Sequence, residues 1–382
     1  MRLLLLLERG MSIRKWVELG QWSRELTIYS KLAEKIGEVI FYSYGNNEER
    51  LIDSYPNLFV ISKKAGFWQF IPKRLNSRLN RIWNGWNLIG KRELLKSVDV
   101  IKTNQFKAAQ WGLILKESLN KKLVIRMGFY HTHIWDMGLI TPEARKYFDI
   151  TPHTVFIEKK YFTLADGIIV TSLKGKNYIS KKYGIPESKI LYLPNYIDCN
   201  VFKPIEVEKD IDILYVGRLH EKKNLLKLLE AVSELSFDPK VLFIGKGPEK
   251  ANLLRFAREK NVNLEIIDRI ENTELPLYYN RSKLFVLPSY YEGNPKVLLE
   301  AMACGNVVIG TDVPGINDVI VNGETGFLAE LSSRSLAEKI RDALLNYDHY
   351  RSTIGSKARE FILETSNLDR LIDKEVEFLK SL

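Results

Sequence analysis

The stretch LPSYYEGNPKVLLEAMACG, residues 287–305, decides the fold because it joins the end of a buried strand to the start of a helix. Asn294 suits the N-cap position, Pro295 suits the first helical position, and Gly305 ends the predicted helix. Glu292 precedes the helix and Glu300 lies inside it, with seven residues between them. A helix N-terminus at the carboxyl end of a strand attracts phosphate, and carboxylates beside it accept hydrogen bonds from hydroxyl groups. Each feature alone also fits a capped surface helix, but their combination predicts a ligand with phosphates and hydroxyl groups.

A second stretch, DILYVGRLHEKKN at residues 212–224, has the same order of strand, turn and helix. Gly217 ends the predicted strand and lets the backbone turn and approach a ligand closely. Arg218 and Lys223 follow it, and their side chains suit a diphosphate as a planar fork and as a point charge. GKGPEK, residues 245–250, places Gly247 at the same sheet edge but lacks the third glycine of a dinucleotide-binding motif.

On both sides of these two stretches, and along the whole chain, short apolar runs alternate with helical patterns. This alternation is typical of an α/β protein with parallel sheets. At 382 residues the chain is too long for one ordinary core. We predict two Rossmann-like domains that face each other across a ligand-binding cleft. The predicted parts are a first domain (1–195), a linker (196–209), a second domain (210–355) and a C-terminal helix (356–382) that crosses back to the first domain.

Charge is distributed unevenly along the chain, whose formal net charge is +10. Residues 1–200 contain 32 Lys and Arg against 18 Asp and Glu, a net charge of +14, whereas the remainder carries −4. The basic half predicts an anionic partner, and nucleic acid is disfavoured because no recognition motif accompanies the charge. The two cysteines, Cys199 and Cys304, are typical of a reducing compartment. The apolar run Leu3–Leu7 is closed by charged residues and predicts a strand rather than a signal peptide, which favours a cytoplasmic location.

Four motifs in this order resemble those of the retaining glycosyltransferases of family 4, which have the GT-B fold. The motifs are GRLHEKKN, FIGKGP, LPSYYEGNPKVLLEAMACG and VPGINDVIVNGETGFL, and the resemblance covers residues 190–345. It implies that Arg218 and Lys223 hold the diphosphate of a nucleotide-sugar donor and that Glu300 binds its ribose. It also implies that Glu292 holds the donor sugar, and the donor-binding set is completed by Gly217, Gly247, Gly293, Asn294, Pro295 and Lys296.

Two departures from the family pattern affect the expected donor site. Asp268 stands where the family often has glycine, next to Arg269 and Ile270, where base contacts are expected. The glycine-pair loop of the family's first domain is replaced by ERGMSIRKWVELGQWSRE. Within it Gly20 is the first candidate for approaching the phosphate, and Gly10 is the second.

Members of the family often carry a histidine that contacts the donor sugar after a central strand of the first domain. The segment VIRMGFYHTHIWD offers His131 and His133, and we prefer His133. An imidazole there suits hydrogen bonding to a sugar hydroxyl or proton transfer, with packing in an aromatic loop as the alternative. Arg126 in the same segment is either structural or a cation on the acceptor side.

No cofactor is expected, and no metal. Asp210-Ile-Asp212 forms a DxD motif, which holds a metal in the other glycosyltransferase fold, but here it precedes a buried strand. Arg218 and Lys223 already supply the positive charge that a metal would bring. The histidines and cysteines show no ligand spacing for zinc.

Residues 63–92 carry eight Lys and Arg, no Asp or Glu, and three of the seven Trp. Their apolar residues recur at helical spacing, with Arg74, Arg78 and Arg81 interleaved. This pattern suits an interfacial helix on an anionic membrane, with an ordinary domain helix as the alternative. We therefore predict that the first domain docks peripherally on the cytoplasmic leaflet.

Together these observations predict a hexosyltransferase that uses a UDP- or GDP-sugar. Its expected acceptor is a glycan or a lipid-linked molecule in cell-surface polysaccharide biosynthesis. One alternative is a sugar-nucleotide epimerase or phosphorylase of the same fold. The other is a scaffold subunit that binds a nucleotide sugar without catalysis.

Overall fold

Two parallel β-sheets form the framework of the computed structural model, which describes residues 1–63, 92–128, 131–136, 138, 145–147 and 150–382. The strands of the first sheet are β1 (Arg2–Leu6), β2 (Glu38–Asn46), β3 (Leu58–Lys63), β4 (Val100–Thr103), β5 (Lys122–Met127), β6 (Gly167–Val170) and β7 (Ile190–Tyr192). The strands of the second sheet are β8 (Ile211–Val216), β9 (Val241–Ile244), β10 (Leu264–Ile267), β11 (Ser282–Leu287), β12 (Val307–Thr311) and β13 (Phe327–Ala329). The predicted α/β class with two Rossmann-like domains is confirmed.

Helices connect the strands and cover both sheets. Those of the first domain are α1 (Ile13–Glu18), α2 (Trp22–Ile36), α3 (Arg92–Lys96), α4 (Ala109–Leu119), α5 (His131–Asp136), α6 (Pro152–Leu164) and α7 (Leu173–Tyr183). Those that follow are α8 (Leu225–Ser233), α9 (Lys250–Glu259), α10 (Leu275–Arg281), α11 (Lys296–Ala303), α12 (Ser333–Leu345), α13 (Tyr347–Tyr350), α14 (Ser356–Thr365) and α15 (Leu368–Lys380). Arg351–Gly355 forms a π-helical turn, and Glu221–Lys223 forms a 3₁₀ turn.

The first sheet has the strand order β3-β2-β1-β4-β5-β6-β7, and all its pairs are parallel. Helices cover both faces of this sheet, so side chains on both sides of its central strands are buried and apolar. In β1, for example, Leu3–Leu6 are all buried. The order reverses between β1 and β4, so the loops after these two strands diverge and open a crevice. This crevice faces the second domain.

The second sheet has the order β10-β9-β8-β11-β12-β13 and is also parallel throughout. Its order reverses between β8 and β11. The loops that follow these two strands are the two stretches that carry the phosphate-binding features of the sequence. Both crevices therefore open on the same interdomain cleft.

The C-terminal segment forms two helices, so the prediction of a single helix over 356–382 is wrong. Helical structure is interrupted at Ser366 and Asn367. The Asn367 side chain caps the new helix, α15, by accepting hydrogen bonds from the N–H groups of Asp369 and Arg370. Ile197 donates to the Ser366 carbonyl and accepts from the Leu368 N–H. After this junction α15 packs on α2 and buries its apolar face in the first domain.

A buried polar cluster ties α15 to the first sheet. Lys102, at the end of β4, forms an ion pair with Glu375 of α15, and the two side chains are 1% and 0% exposed. The Tyr196 hydroxyl also donates to Glu375. Each polar group in the cluster thus has a partner, as burial requires.

None of the helices among the described residues is long and apolar enough to cross a membrane. The segment predicted to dock on a membrane, residues 63–92, lies outside the described part of the chain except for its end residues. That prediction stays a prediction.

Candidate functional site

A cavity of about 510 Å³ lies between the two domains where their crevices meet. The first domain lines it with residues that include Glu8, Asn104 and Arg126. The second domain contributes Lys222 and the segment 291–294 together with Lys296. The predicted cleft and the residues of the deciding stretch therefore coincide.

Three glycines lie in the loops after β8 and β9, at the carboxyl edge of the second sheet. Gly217 and Gly245 adopt φ angles of +152° and +153°, where side chains are strained. Their backbones are so close that a Cβ on Gly245 would lie 1.8 Å from the Gly217 carbonyl oxygen. A Cβ on Gly247 would lie 1.9 Å from the Leu219 carbonyl oxygen. Only glycine permits this packing.

Lys223 and Glu292 form an ion pair that spans the crevice between β8 and β11. Both side chains are mostly buried, and Ser289 Oγ donates to Glu292 Oε1 at 2.7 Å. The Tyr290 N–H donates to the Lys222 carbonyl at 3.1 Å and joins the two loops. Arg218 lies on the same loop and is exposed to solvent. The predicted cation and carboxylate are thus brought together, although 69 residues separate them in sequence.

The start of α11 differs from the prediction, because Asn294 does not cap it. Pro295 occupies the N-cap position, and the helix begins at Lys296. The Asn294 Oδ1 atom instead accepts from the Asn195 N–H at 2.7 Å, and Asn195 Nδ2 donates to the Asn294 carbonyl at 2.5 Å. These two bonds fix the Gly293–Asn294 turn to the first domain.

Glu300 is 1% exposed and lies at the wall of a second, smaller interdomain cavity. Its carboxylate accepts from the Tyr279 hydroxyl at 2.9 Å and from Asn272 Nδ2 at 3.3 Å. Burial raises the pKa of Glu300 above its usual value. Arg24 and Thr273 line the same cavity, so Glu300 stands between the core of the second domain and this cavity.

Arg269 and Gly20 lie next to each other, which sequence reasoning did not anticipate. Arg269 donates to the Glu18 and Val17 carbonyls at the end of α1, at 3.0 and 3.2 Å. Gly20 has φ +66°, and a Cβ there would lie 3.2 Å from Arg269 Nε. Ile270, the other residue predicted to contact the base, is partly buried against the core of the second domain.

His133 lies on α5 with 9% of its surface exposed and lines a third cavity, which Glu292 and Gly293 also reach. Its ring packs on Tyr178 with a centroid distance of 4.7 Å. Burial lowers the pKa of His133, and this effect outweighs the opposite effect of the nearby Asp318 carboxylate. His131 begins the same helix, and its side chain lies outside the described part of the structure.

The DxD motif lies at the amino end of β8, at the opposite edge of the sheet from the crevice. Asp212 forms an ion pair with Lys283 at 2.8 Å, and Asp210 pairs with Arg281. Among the described residues, no group of three or more His, Cys, Asp and Glu side chains is arranged to hold a metal.

Several residues of the site were missed by sequence reasoning. Asn195 was assigned only to the end of the first domain, and Lys222 and Ser289 were not singled out. Tyr279 on α10 and Asn272 in the turn before it hold Glu300, and neither belongs to a motif. Asn195 directly follows Pro194 after β7, and this position at the carboxyl edge of a sheet is the one signal that points to it.

Fold and site together define a two-domain α/β protein with a cavity between two parallel sheets. Two family models match the chain: "Glycosyl transferases group 1" over residues 198–361 and "Glycosyltransferase Family 4" over residues 27–201. The chain belongs to this family of glycosyltransferases, as its motifs predicted.

Two solved structures share the fold. Sucrose-phosphate synthase from Thermosynechococcus elongatus superposes with a TM-score of 0.80 at 20% identity, covering 100% of this chain and 99% of that one. HepE of Anabaena, solved in complex with UDP, superposes with a TM-score of 0.76 at 16% identity and covers 100% of both chains. The predicted GT-B architecture is thereby confirmed.

Among the curated relatives, the capsular polysaccharide biosynthesis glycosyltransferase CapM of Staphylococcus aureus is 37% identical over 120 residues. This alignment covers 31% of this chain and 30% of CapM. The alignments with three such relatives span between 30% and 60% of the relatives' own lengths.

Proposed function

We propose that this protein transfers a hexosyl group, with retention of anomeric configuration, from a UDP- or GDP-sugar to a glycan or lipid-linked acceptor. The observation that carries the proposal is the Lys223–Glu292 ion pair across the crevice between β8 and β11. A cation that suits phosphate and a carboxylate that suits sugar hydroxyls lie side by side, and Glu292 belongs to the loop that leads into α11. This is the position where open α/β sheets bind their ligands.

In the proposed reaction the bond between the anomeric carbon and the diphosphate oxygen breaks, and a bond to the oxygen of an acceptor hydroxyl forms on the same face. The proton of that hydroxyl passes to the departing diphosphate. Arg218, Lys223 and the N–H groups at the start of α11 stabilise the charge that develops on the departing diphosphate. Glu292 and the Gly293–Lys296 segment hold the sugar, Glu300 binds the ribose, and Arg269 with Ile270 flanks the base. His133 hydrogen-bonds a sugar hydroxyl from the first domain.

The names of similar proteins support this choice of substrates. HepE was solved with UDP, and CapM is named for capsular polysaccharide biosynthesis. We therefore place the protein in cell-surface polysaccharide biosynthesis. Docking of residues 63–92 on the cytoplasmic leaflet would bring the first domain to a lipid-linked acceptor.

A panel of UDP- and GDP-sugars tests the proposal directly. We expect slow hydrolysis of one donor in the absence of acceptor, because water replaces the acceptor hydroxyl, and the released sugar keeps its anomeric configuration. NMR of the fresh product measures both. Tight binding of a nucleotide sugar without turnover would instead identify a scaffold subunit, and a change in the sugar itself would identify an epimerase.

Removal of metal is expected to leave activity intact. The cations of the crevice supply the charge that a metal would bring, and Asp212 is held by Lys283 at the far edge of the sheet. Donor turnover should therefore be the same within twofold, roughly, with EDTA or with added manganese, and the Asp212→Asn variant should stay active. Complete loss on chelation that manganese restores would contradict this account.

A further inference from the structure

The crevice of the first domain, between β1 and β4, is not used by the proposed donor site. Residues from the ends of three neighbouring strands line it: Glu8 after β1, Asn104 and Gln105 after β4, and Arg126 near the end of β5. The Tyr29 hydroxyl donates to Asn104 Oδ1 at 3.2 Å and orients its amide. A strand-order reversal makes this crevice a ligand site by the same rule that applies in the second domain.

Arg126 is a buried cation at this crevice. Its side chain is 7% exposed, and its guanidinium stacks on the Tyr196 ring at 5.2 Å. One Nη atom donates to Asn195 Oδ1 at 3.1 Å. Among the described residues, no carboxylate lies within ion-pair distance of Arg126, although buried charges are normally paired.

The charges around Arg126 do not balance. Arg24 and Lys296 share the single carboxylate of Glu25, at 3.2 and 3.0 Å. Burial would raise the pKa of Glu25, but Lys296 and Arg24 outweigh it and lower that pKa to about 2. Burial, together with repulsion from Arg24, lowers the pKa of Lys296 to about 8.

A count over the buried cluster gives four cations and two carboxylates. The cations are Arg24, Lys102, Arg126 and Lys296, and the carboxylates are Glu25 and Glu375. The excess of two positive charges lies beside an open cavity, so an anion that enters the cavity gains charge-assisted hydrogen bonds. Glu8, Lys222 and Glu292 line the same cavity. Glu8 and Lys222 cancel each other in the count, and Glu292 is paired with Lys223.

We propose that the crevice between β1 and β4 binds an acceptor that carries a phosphate group, with Arg126 as the phosphate ligand. The inference rests on the proposed glycosyl transfer, and it adds the chemical class of the acceptor. Glu8, Asn104 and Gln105 face the hydroxylated part of this acceptor. A sugar phosphate or a glycosyl diphosphate combines an anionic end with a hydroxylated end and fits both halves of the crevice.

The test measures binding of α-glucose 1-phosphate by calorimetry in the presence of saturating UDP or GDP, whichever binds. We expect the sugar phosphate to bind, and free glucose to bind far more weakly. In Arg126→Gln the affinity for the sugar phosphate should fall roughly tenfold or more, as for a lost hydrogen bond between charged groups. Affinity for the nucleoside diphosphate should stay unchanged, which also shows that the variant is folded.

Arg218→Gln is the matched control, because it removes an arginine from the donor side of the same cleft. This variant should bind the nucleoside diphosphate more weakly and bind the sugar phosphate with unchanged affinity. The inference is overturned if Arg126→Gln binds the sugar phosphate as tightly as the wild type does. It is also overturned if the wild type does not bind the sugar phosphate. Loss of nucleotide affinity in Arg126→Gln would assign Arg126 to the donor. Unchanged nucleotide affinity in Arg218→Gln would count against the proposed function alone.

Discussion

Replacing Lys223 or Arg218 with alanine is expected to lower turnover of the nucleotide sugar on the order of 10²-fold or more. Both residues lie on the loop after β8, and Lys223 pairs with Glu292 in the loop that leads into α11. We place the departing diphosphate there. Preorganised cations act mainly on charge that develops in the transition state, so kcat should fall more than the affinity for donor. The Lys223 change has a second consequence, because it leaves Glu292 without its ion-pair partner.

Initial rates over a range of donor concentrations separate kcat from KM in both variants. Lys227→Ala is the matched control, since Lys227 lies one turn further along the chain and pairs with Glu230 at 2.6 Å outside the cleft. It removes the same kind of side chain from a more exposed ion pair within one helix, and its activity should be close to that of the wild type. Near-normal kcat in both Lys223→Ala and Arg218→Ala would refute the diphosphate assignment.

Glu375→Ala is expected to lower the free energy of unfolding of the first domain by about 3–5 kcal/mol. The change leaves Lys102 buried without its carboxylate and the Tyr196 hydroxyl without its acceptor. An uncompensated buried charge is costly because desolvation is no longer offset. Tyr196 also stacks under Arg126, so the damage should extend to the cleft.

Tryptophan fluorescence during urea unfolding suits this measurement, because all seven Trp lie at positions 16–135, within the first domain. The triple change Lys102→Met, Glu375→Leu and Tyr196→Phe is the informative comparison. Apolar side chains of similar volume need no partner, so it should recover most of the lost stability. If Glu375→Ala lowers the free energy of unfolding by less than about 1 kcal/mol, then water or neighbouring groups already provide hydrogen-bond partners for the Lys102 ammonium.

The sequence by itself determined the fold class, the order of the strands along the chain and the residues of the second domain's crevice. Buried parallel strands are continuous apolar runs and helices have a period of 3.6 residues, so both are visible locally. Gly217, Gly247, Lys223 and Glu292 lie in loops that follow strands, and the carboxyl edge of a parallel sheet gathers such loops at one place.

Only the tertiary structure decided how the two domains meet. The sequence predicts Asn294 as a helix cap because capping is a local preference. In the structure its side-chain oxygen instead accepts a hydrogen bond from the Asn195 N–H of the first domain. The C-terminal helix breaks at Asn367 because Ile197, far away in sequence, pairs with that segment. The excess of positive charge around Arg126 arises from α2, β4, β5, α11 and α15 together. Such contacts depend on which surfaces face each other after folding, and no period or motif in the chain encodes that.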